Sequence, residues 1–181
     1  MLKIWNIAAV ILAMLAVQAG AQNLPAEVAN VREALSGFHD VPGADYWQRF
    51  NPEQARAALT QLSSDKNEMI HIRTRATLAL VNFPDAQVEQ HLKATFEGQE
   101  RGYVRAAALK AYSSIAGQSA APALEAALED KDDLVKISAI RTLGDIGGAV
   151  ATAMLEKGME REIDPVARSA FKRSLQRASR R

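Results

Sequence analysis

Apolar residues recur at spacings of three and four along almost the whole chain, and the strict alternation typical of a β-strand is nearly absent. Spacings of i, i+3, i+4 and i+7 place apolar side chains on one stripe of an α-helix. The chain is therefore predicted to be all-α. Start and stop signals, chiefly Pro, Asp, Asn and Gly, predict nine short helices at 25–36, 52–62, 68–82, 84–97, 103–116, 120–129, 134–146, 149–158 and from 165 onwards.

The helical pattern is itself repeated. Two segments, YVRAAALKAYSSI (103–115) and LVKISAIRTLGDI (134–146), have side chains of similar size and polarity at matching positions. The offset between them is 31 residues. A further step of 31 places Val166 at the position of Val135, and a step backward places Leu78 at that of Leu109. Self-similarity at this period indicates stacked units, each too small to bury its own apolar face. The predicted fold is an α-solenoid, or alpha-alpha superhelix, of stacked antiparallel helix pairs.

Segment 130–147, DKDDLVKISAIRTLGDIG, resembles the second half of a short HEAT-like repeat, of the class that includes the phycobilisome lyase repeats. The family pattern has an Asp, a Val-Arg pair, an Ala and a closing Leu-Gly-x-Ile-Gly. The resemblance is strong at 100–147 and faint at 52–82 and 150–181. It implies that Asp130, Arg105 and Lys136 form a structural ladder of hydrogen bonds between neighbouring units, with Lys136 replacing the arginine of the pattern.

The first 21 residues have the layout of a secretory signal peptide. Lys3 precedes an apolar run that is shorter than the roughly 20 residues needed to cross a bilayer, and small residues at 19–21 predict cleavage after Ala21. No later stretch predicts a transmembrane segment, and the absence of cysteine excludes disulfides and lipoprotein attachment. We expect a secreted, periplasmic protein in which 22–181 form one solenoid. Its predicted parts are an atypical N-terminal cap at about 22–50, the best repeats at about 84–147 and a basic C-terminal cap at about 149–181.

The composition is that of an ordinary globular protein, with 48% hydrophobic and 24% charged residues and a net charge of +1, and no nucleic-acid partner is expected. The C-terminal end is nevertheless basic. From residue 165 onwards it has no acid and contains Arg168, Lys172, Arg173, Arg177, Arg180 and Arg181. These cations either complement a helix dipole on the polar face of a terminal repeat or form a tail that binds an anionic surface.

Lys110, Arg141 and Lys172 are related by the same step of 31 and lie opposite the core stripe of the second helix in their units. Because second helices line the concave surface of HEAT-like folds, the resemblance implies a row of basic groups on the inside of the curve. Such a row could bind a partner with an acidic surface. The alternative is that these residues are ordinary solvent-exposed lysines and arginines.

Four of the nine aromatic residues that follow the predicted signal peptide are concentrated in segment 38–50. They are Phe38, Tyr46, Trp47 and Phe50. The segment is predicted to be a loop that either closes the N-terminal end of the stack or recognises a partner through Tyr46 and Trp47.

The sequence contains no motif for phosphate binding, for a hydrolase nucleophile or for zinc. His39, His71 and His91 do not share a helix face, and the acids of 130–133 suit helix capping better than calcium because Leu134 is expected to enter the core. No catalytic residue, cofactor or metal is predicted.

We therefore expect a binding module, acting as a protein–protein interaction scaffold or adaptor for an acidic partner protein. One alternative is an enzyme or enzyme accessory of the HEAT-like lyase type that uses His39, His71 or scattered acids. The other is a structural envelope protein that binds an anionic surface through its basic C-terminal helix.

Overall fold

The structure is a computed structural model and describes residues 24–37 and 41–180. The predicted signal peptide, Phe38, His39 and Arg181 lie outside these residues. All regular secondary structure in the described ranges is helical. The helices are α1 (24–36), α2 (Ala44–Trp47), α3 (Pro52–Ser64), α4 (Ile70–Ala79), α5 (Ala86–Glu97), α6 (Gly102–Ala116), α7 (Ala121–Ala127), α8 (Asp133–Ile146), α9 (Gly148–Arg161) and α10 (Pro165–Ala178), and short 3₁₀ turns follow α4 and α6.

Side-chain caps set where several helices begin. Asn51 accepts hydrogen bonds from two backbone amides of the first turn of α3, and Asp85 accepts one from the first turn of α5. Asp132 and Asp164 do the same for α8 and α10. Each cap satisfies an amide that has no partner inside its helix, which typically stabilises the fold by about 1 kcal/mol.

Consecutive helices form four pairs, α3/α4, α5/α6, α7/α8 and α9/α10, which stack in chain order. The second helices, α4, α6, α8 and α10, pack directly on one another, whereas the first helices, α3, α5, α7 and α9, make few contacts among themselves. In a curved stack the layer with the closer helices lies on the inside. We call α4, α6, α8 and α10 the inner layer, and α3, α5, α7 and α9 the outer layer.

Between the two layers runs one apolar core. Its fully enclosed side chains include Leu59, Leu80, Leu109, Ile140 and Phe171, one from nearly every unit. Small residues allow the inner helices to approach closely. A Cβ atom on Gly144 of α8 would lie 2.7 Å from the Cβ of Ser174 on α10 and 2.9 Å from its Cα.

The repeat is not uniform. Val135 of α8 is fully buried, but Val166, one step of 31 later, is 67% exposed, and Ala167 is buried in its place. The mapping of Val166 onto Val135 is therefore wrong, and α10 follows α8 at a step of 32. Connections of four, five and three residues precede α6, α8 and α10, which allows the spacing to vary while the packing is kept.

The step into α6 is also 32. The buried residues of α4 and of the 3₁₀ turn that follows it, among them Ile72, Ala76 and Leu80, recur in α6 as Val104, Ala108 and Tyr112. Leu78 consequently matches Lys110 and not Leu109. Only the step from α6 to α8 equals the value that the sequence pattern predicts.

The segment predicted as an aromatic loop contains the short helix α2. Trp47 is only 3% exposed, packs against Phe50 and Phe83 with ring centroids 5.4 and 5.9 Å away, and donates from Nε1 to the carbonyl of Pro42 at 2.9 Å. A ring this enclosed cannot contact a partner, so the recognition role suggested for Trp47 is wrong and the residue belongs to the core. Tyr46 is half-buried, with the guanidinium of Arg49 4.1 Å from its ring centre.

Candidate functional site

A ladder of charged side chains joins the units. Arg105 donates to both carboxylate oxygens of Asp130, at 3.1 and 2.6 Å, and from Nε to the carbonyl of Phe96 at 2.9 Å. Lys136 reaches Glu162 at 3.3 Å. In each pair a cation near the start of an inner helix binds an acid in the next unit, so the residues assigned to the ladder are all engaged in it.

The sequence pattern did not reveal two further cations at the positions equivalent to Arg105 and Lys136, of which Arg73 joins two units and Arg168 binds within its own. Arg73 donates to Glu100 at 2.8 Å and to the carbonyl of Ser63, and Arg168 donates to the backbone carbonyls of Met159 and Glu162. They were missed because the step of 31 leads from Arg105 to position 74 and from Lys136 to position 167, in each case one residue away from the arginine.

Hydrogen bonding sets the ionisation of the ladder acids. The bond from Arg105 lowers the pKa of Asp130, and the backbone amide of Asp164 lowers the pKa of Glu162. Both acids are therefore charged at neutral pH, where they stabilise the junctions between units. The ladder is a structural feature and offers no free group to a ligand.

The inner layer has a cleft of about 330 Å³, which we call the inner groove. It lies mainly between α6 and α8, with α4 and α10 at its margins. Residues at equivalent positions of α6 and α8 line it. The equivalent pairs are Tyr103 and Leu134, Ala106 and Ile137, Ala107 and Ser138, and Lys110 and Arg141.

One contact confirms the level at which the two walls meet. The hydroxyl of Ser138 donates to the backbone carbonyl of Ala106 at 3.1 Å, so the middle of α8 lies against the middle of α6. Three of the four side chains at this level, those of Ala106, Ala107 and Ser138, are small, and Ile137 is the larger one. Ala107 is buried.

Two side chains at one end of the groove are apolar and exposed. Tyr103 is 60% and Leu134 is 41% exposed. Leu134, which was expected to enter the core, instead stands beside it, and Val135 takes the buried position. Both residues were missed as site residues, although each is an apolar residue directly before the first buried position of its helix.

Lys110 and Arg141 lie at the next level of the groove, and both are exposed. Within the described part of the chain, neither side chain forms a hydrogen bond or an ion pair. At the far end Arg177 of α10 donates to Asp145 of α8. The groove thus has an apolar end, a basic middle and a neutral far end.

Lys172 does not belong to this groove. At the step of 32 it corresponds to Ile140, on the face of α8 that α10 covers, and no described helix covers that face of α10. Arg173 takes the position equivalent to Lys110 and Arg141, and both Lys172 and Arg173 are exposed. Of the predicted row, Lys110 and Arg141 line the groove, and neither Lys172 nor Arg173 does.

The basic C-terminal end is partly used within the fold. Arg168 binds two backbone carbonyls and Arg177 binds Asp145, whereas the side chains of Lys172, Arg173 and Arg180 form no hydrogen bond or ion pair with other described residues. In the described part of the C-terminal helix and tail, three cations therefore remain available to an anionic surface.

Other clefts and titratable groups offer less. Tyr46 lines a polar cleft of about 680 Å³ together with Glu27 and Glu33. His71 is exposed, and His91 lies 2.9 Å from the hydroxyl of Ser63, where burial lowers its pKa. Among residues 24–37 and 41–180, no three acidic or histidine side chains form a group that could hold a metal ion. No helix there combines the length and hydrophobicity needed to span a bilayer.

Comparisons with known proteins address the fold. The family model of HEAT repeats matches residues 90–176. The structure of human deoxyhypusine hydroxylase in complex with glycerol is similar, with a TM-score of 0.55 and 20% sequence identity. The match covers 70% of this chain but only 44% of the hydroxylase chain, and it concerns the fold alone. No curated protein matches this sequence. The chain is an α-solenoid whose residues 90–176 match the family model of HEAT repeats.

Proposed function

We propose that this protein is an exported HEAT-repeat binding module, which works in the periplasm or outside the cell and holds an acidic part of another protein in its inner groove. The observation that carries this proposal is the pair Lys110 and Arg141. They face one open groove, and neither has a partner within the described chain. Unpaired cations on a preorganised wall attract carboxylates and accelerate association with acidic partners.

The pairing of other cations supports this assignment. Arg73, Arg105 and Lys136, on the same inner helices, each bind an acid of a neighbouring unit. The chain therefore carries acids where its fold needs them, and no described acid binds Lys110 or Arg141. An external carboxylate would complete the groove in the way that the internal acids complete the ladder.

Two exposed apolar side chains, Tyr103 and Leu134, lie next to the basic pair. Aromatic and basic residues together are typical of the centres of protein interfaces, because aromatic rings bury a large area while losing little side-chain entropy. This combination favours a protein partner over a polyanion of uniform charge.

A photo-crosslinking experiment in intact cells tests the proposal. Tyr103 is replaced by p-benzoylphenylalanine, and in a parallel strain Lys93 on the outer helix α5 is replaced in the same way. We expect a specific crosslinked protein from position 103 only, with a strong loss when Lys110→Glu and Arg141→Glu are added. Equal crosslinking from both positions, or crosslinking that survives the two charge reversals, would contradict the proposal.

Export is tested separately. We expect the protein in the periplasmic or secreted fraction, with a mature N-terminus at Gln22, because residues 1–21 have the layout of a cleaved signal. N-terminal sequencing of the purified protein decides the point. A chain that starts at Met1 and stays in the cytoplasm would overturn this part of the proposal.

The enzyme alternative requires reactive groups that are close together. His71 is exposed, His91 contacts Ser63, and His39 lies outside the described residues. Elemental analysis of the purified protein separates the two proposals, because a stoichiometric bound metal would favour the enzyme.

The envelope alternative depends on Lys172, Arg173 and Arg180. Deleting the last helix is a poor test, because Phe171 and Ser174 are buried in the stack. Replacing the three cations by glutamine leaves the core intact. Reduced co-sedimentation with anionic liposomes or peptidoglycan would favour the envelope alternative.

A further inference from the structure

We propose that the inner groove recognises an extended, polyproline-II-like segment of its partner, in which an apolar residue and an acidic residue are three positions apart. The apolar side chain lies between Tyr103 and Leu134, and the carboxylate lies between Lys110 and Arg141. This inference rests on the proposed function and adds the chemistry and conformation of the bound segment.

The size of the groove favours an extended segment over a bound helix. An α-helix with its side chains is about 10–12 Å wide, so two turns of it occupy roughly 900 Å³. The inner groove has a volume of about 330 Å³, or about a third of that. A single extended strand of about three residues fits this volume.

The spacing of the two walls selects the conformation. Seven residues separate Tyr103 from Lys110 and Leu134 from Arg141, and seven residues of helix rise about 10.5 Å. A β-strand covers about this length in three residues, but it places residues i and i+3 on opposite sides. A polyproline II helix has three residues per turn and advances about 9.3 Å, so residues i and i+3 point to the same side. The groove therefore matches polyproline II geometry.

The floor of the groove allows the backbone of such a segment to lie deep. Ala106 and Ala107 line it on α6, and on α8 it is lined by Ile137 and by Ser138, whose hydroxyl is already bonded to Ala106. A polyproline II segment has no internal hydrogen bonds and needs none from the floor in order to keep its shape. Small side chains beneath it are sufficient.

The charges limit the motif to one acid. Lys110 and Arg141 occupy equivalent positions of α6 and α8 in the lining of the groove, and the proposal places one carboxylate with both of them. Beyond them Arg177 is neutralised by Asp145, so a second carboxylate further along meets no net positive charge. The groove is thus suited to one acid beside one apolar anchor and not to an acidic run.

Synthetic peptides test the inference directly. The probes are fluorescein-labelled, proline-rich peptides of about twelve residues that carry one Leu and one Glu three positions apart, in either order. Matched peptides place the Glu one or two positions from the Leu, or replace it by Gln. We expect the three-position probe, in one order, to bind at least about tenfold more tightly than every matched peptide, because a lost charge-assisted hydrogen bond costs at least that factor.

Charge reversal in the protein supplies the matched control. The double variant Lys110→Glu, Arg141→Glu should bind the Glu peptide more than about tenfold more weakly than the unaltered protein does, and it should bind the corresponding Lys peptide more tightly. The double variant Lys93→Glu, Lys172→Glu makes the same change in net charge away from the groove and should bind like the unaltered protein. Circular dichroism checks that both variants keep their helix content.

Each outcome decides a different point. Equal binding of all peptide spacings, or of the Gln and Glu forms, would overturn the inference. If no peptide binds while crosslinking from position 103 still depends on Lys110 and Arg141, the proposed function holds and the extended acidic motif is wrong. If crosslinking also fails, the groove is not a binding site and both fall together.

Discussion

Removing Arg105 tests whether the charged ladder holds the units together. Its guanidinium makes three hydrogen bonds, two of them to Asp130, and the two side chains are 16% and 14% exposed. An exposed ion pair contributes up to about 1 kcal/mol, whereas removing one partner of a buried pair costs about 3–5 kcal/mol. Asp130 would keep one donor, the amide of Asp132 at 2.8 Å. We therefore expect Arg105→Met to lower the free energy of unfolding by about 2–3 kcal/mol.

A double-mutant cycle isolates the interaction itself. Arg105→Met, Asp130→Asn and the double variant are unfolded in urea at pH 7, and the coupling energy should be about 2 kcal/mol. With the m-value usual for a domain of this size, the midpoint for Arg105→Met falls by about 1–2 M urea. The exposed pair of Lys157 and Glu125, at 56% and 51% exposure, is the matched comparison and should couple by less than about 0.5 kcal/mol.

Two results would refute this reasoning. One is a coupling energy no larger than that of the exposed pair, which would mean that solvent screens the ladder as it screens the surface. The other is a loss from Arg105→Met that is equally large when Asp130 has already been replaced by Asn, which would show that the cost arises from packing of the arginine stem. A transition that splits in two would support the reasoning, since repeat arrays lose cooperativity where a junction is weakened.

Four more outcomes are expected from contacts described above. Native hydrogen bonds lower the pKa of Asp130 and Glu162, so the stability that these acids provide is complete above the pKa values of the unfolded chain and is lost as the pH falls below about 4. Thermal unfolding between about pH 6 and 3 should show this loss, and Asp130→Asn should reduce it. Burial lowers the pKa of His91, so folding favours its neutral form and stability should decline as the pH falls below about 6.5; an unchanged profile in His91→Gln would contradict this. Gly144→Ala should lower the free energy of unfolding by about 1–2 kcal/mol, because the clash with the α10 backbone outweighs the helix-propensity gain of about 1 kcal/mol. A higher urea midpoint would show that α10 can shift to make room. Trp47→Ala should cost about 3–5 kcal/mol in the same assay, and a loss under about 1 kcal/mol would mean that the ring is not part of the core.

The repeat architecture was predictable because it depends on the spacing of apolar and capping residues along the sequence. Helical periodicity, the capping residues and the match between 103–115 and 134–146 are all visible without coordinates. The paired roles of Arg105 and Asp130 came from the family pattern at the one place where the chain follows it closely. All these features depend on neighbours in sequence, and for that reason the sequence is enough to predict them.

The register of the outer units was not predictable in the same way. The helices and connections differ in length from unit to unit, which shifts the start of α10 by one residue, and one residue rotates a helix by about 100°. At this step Arg173, and not Lys172, is the counterpart of Arg141. Lys110 and Arg141 were identified because the step between α6 and α8 is the one that the pattern assumed.

The apolar part of the site was missed for a different reason. Tyr103 and Leu134 fit a hydrophobic stripe as well as their buried neighbours do, and periodicity alone does not tell the edge of a stripe from its centre. Only the packing of α6 against α8 shows that Val104 and Val135 are enclosed while the preceding residue is not.

The ladder cations also provide reference positions for aligning repeat units in engineered versions of this protein. Anyone who splices in an additional unit, or exchanges one with a related repeat, should align the pieces on Arg73, Arg105, Lys136 and Arg168 and let the loops take whatever length results. A graft aligned by counting residues would join without a gap in the sequence and still present the wrong side of a helix to its neighbour. The chain could be lengthened by matching these cations, and the inner layer would lengthen with it.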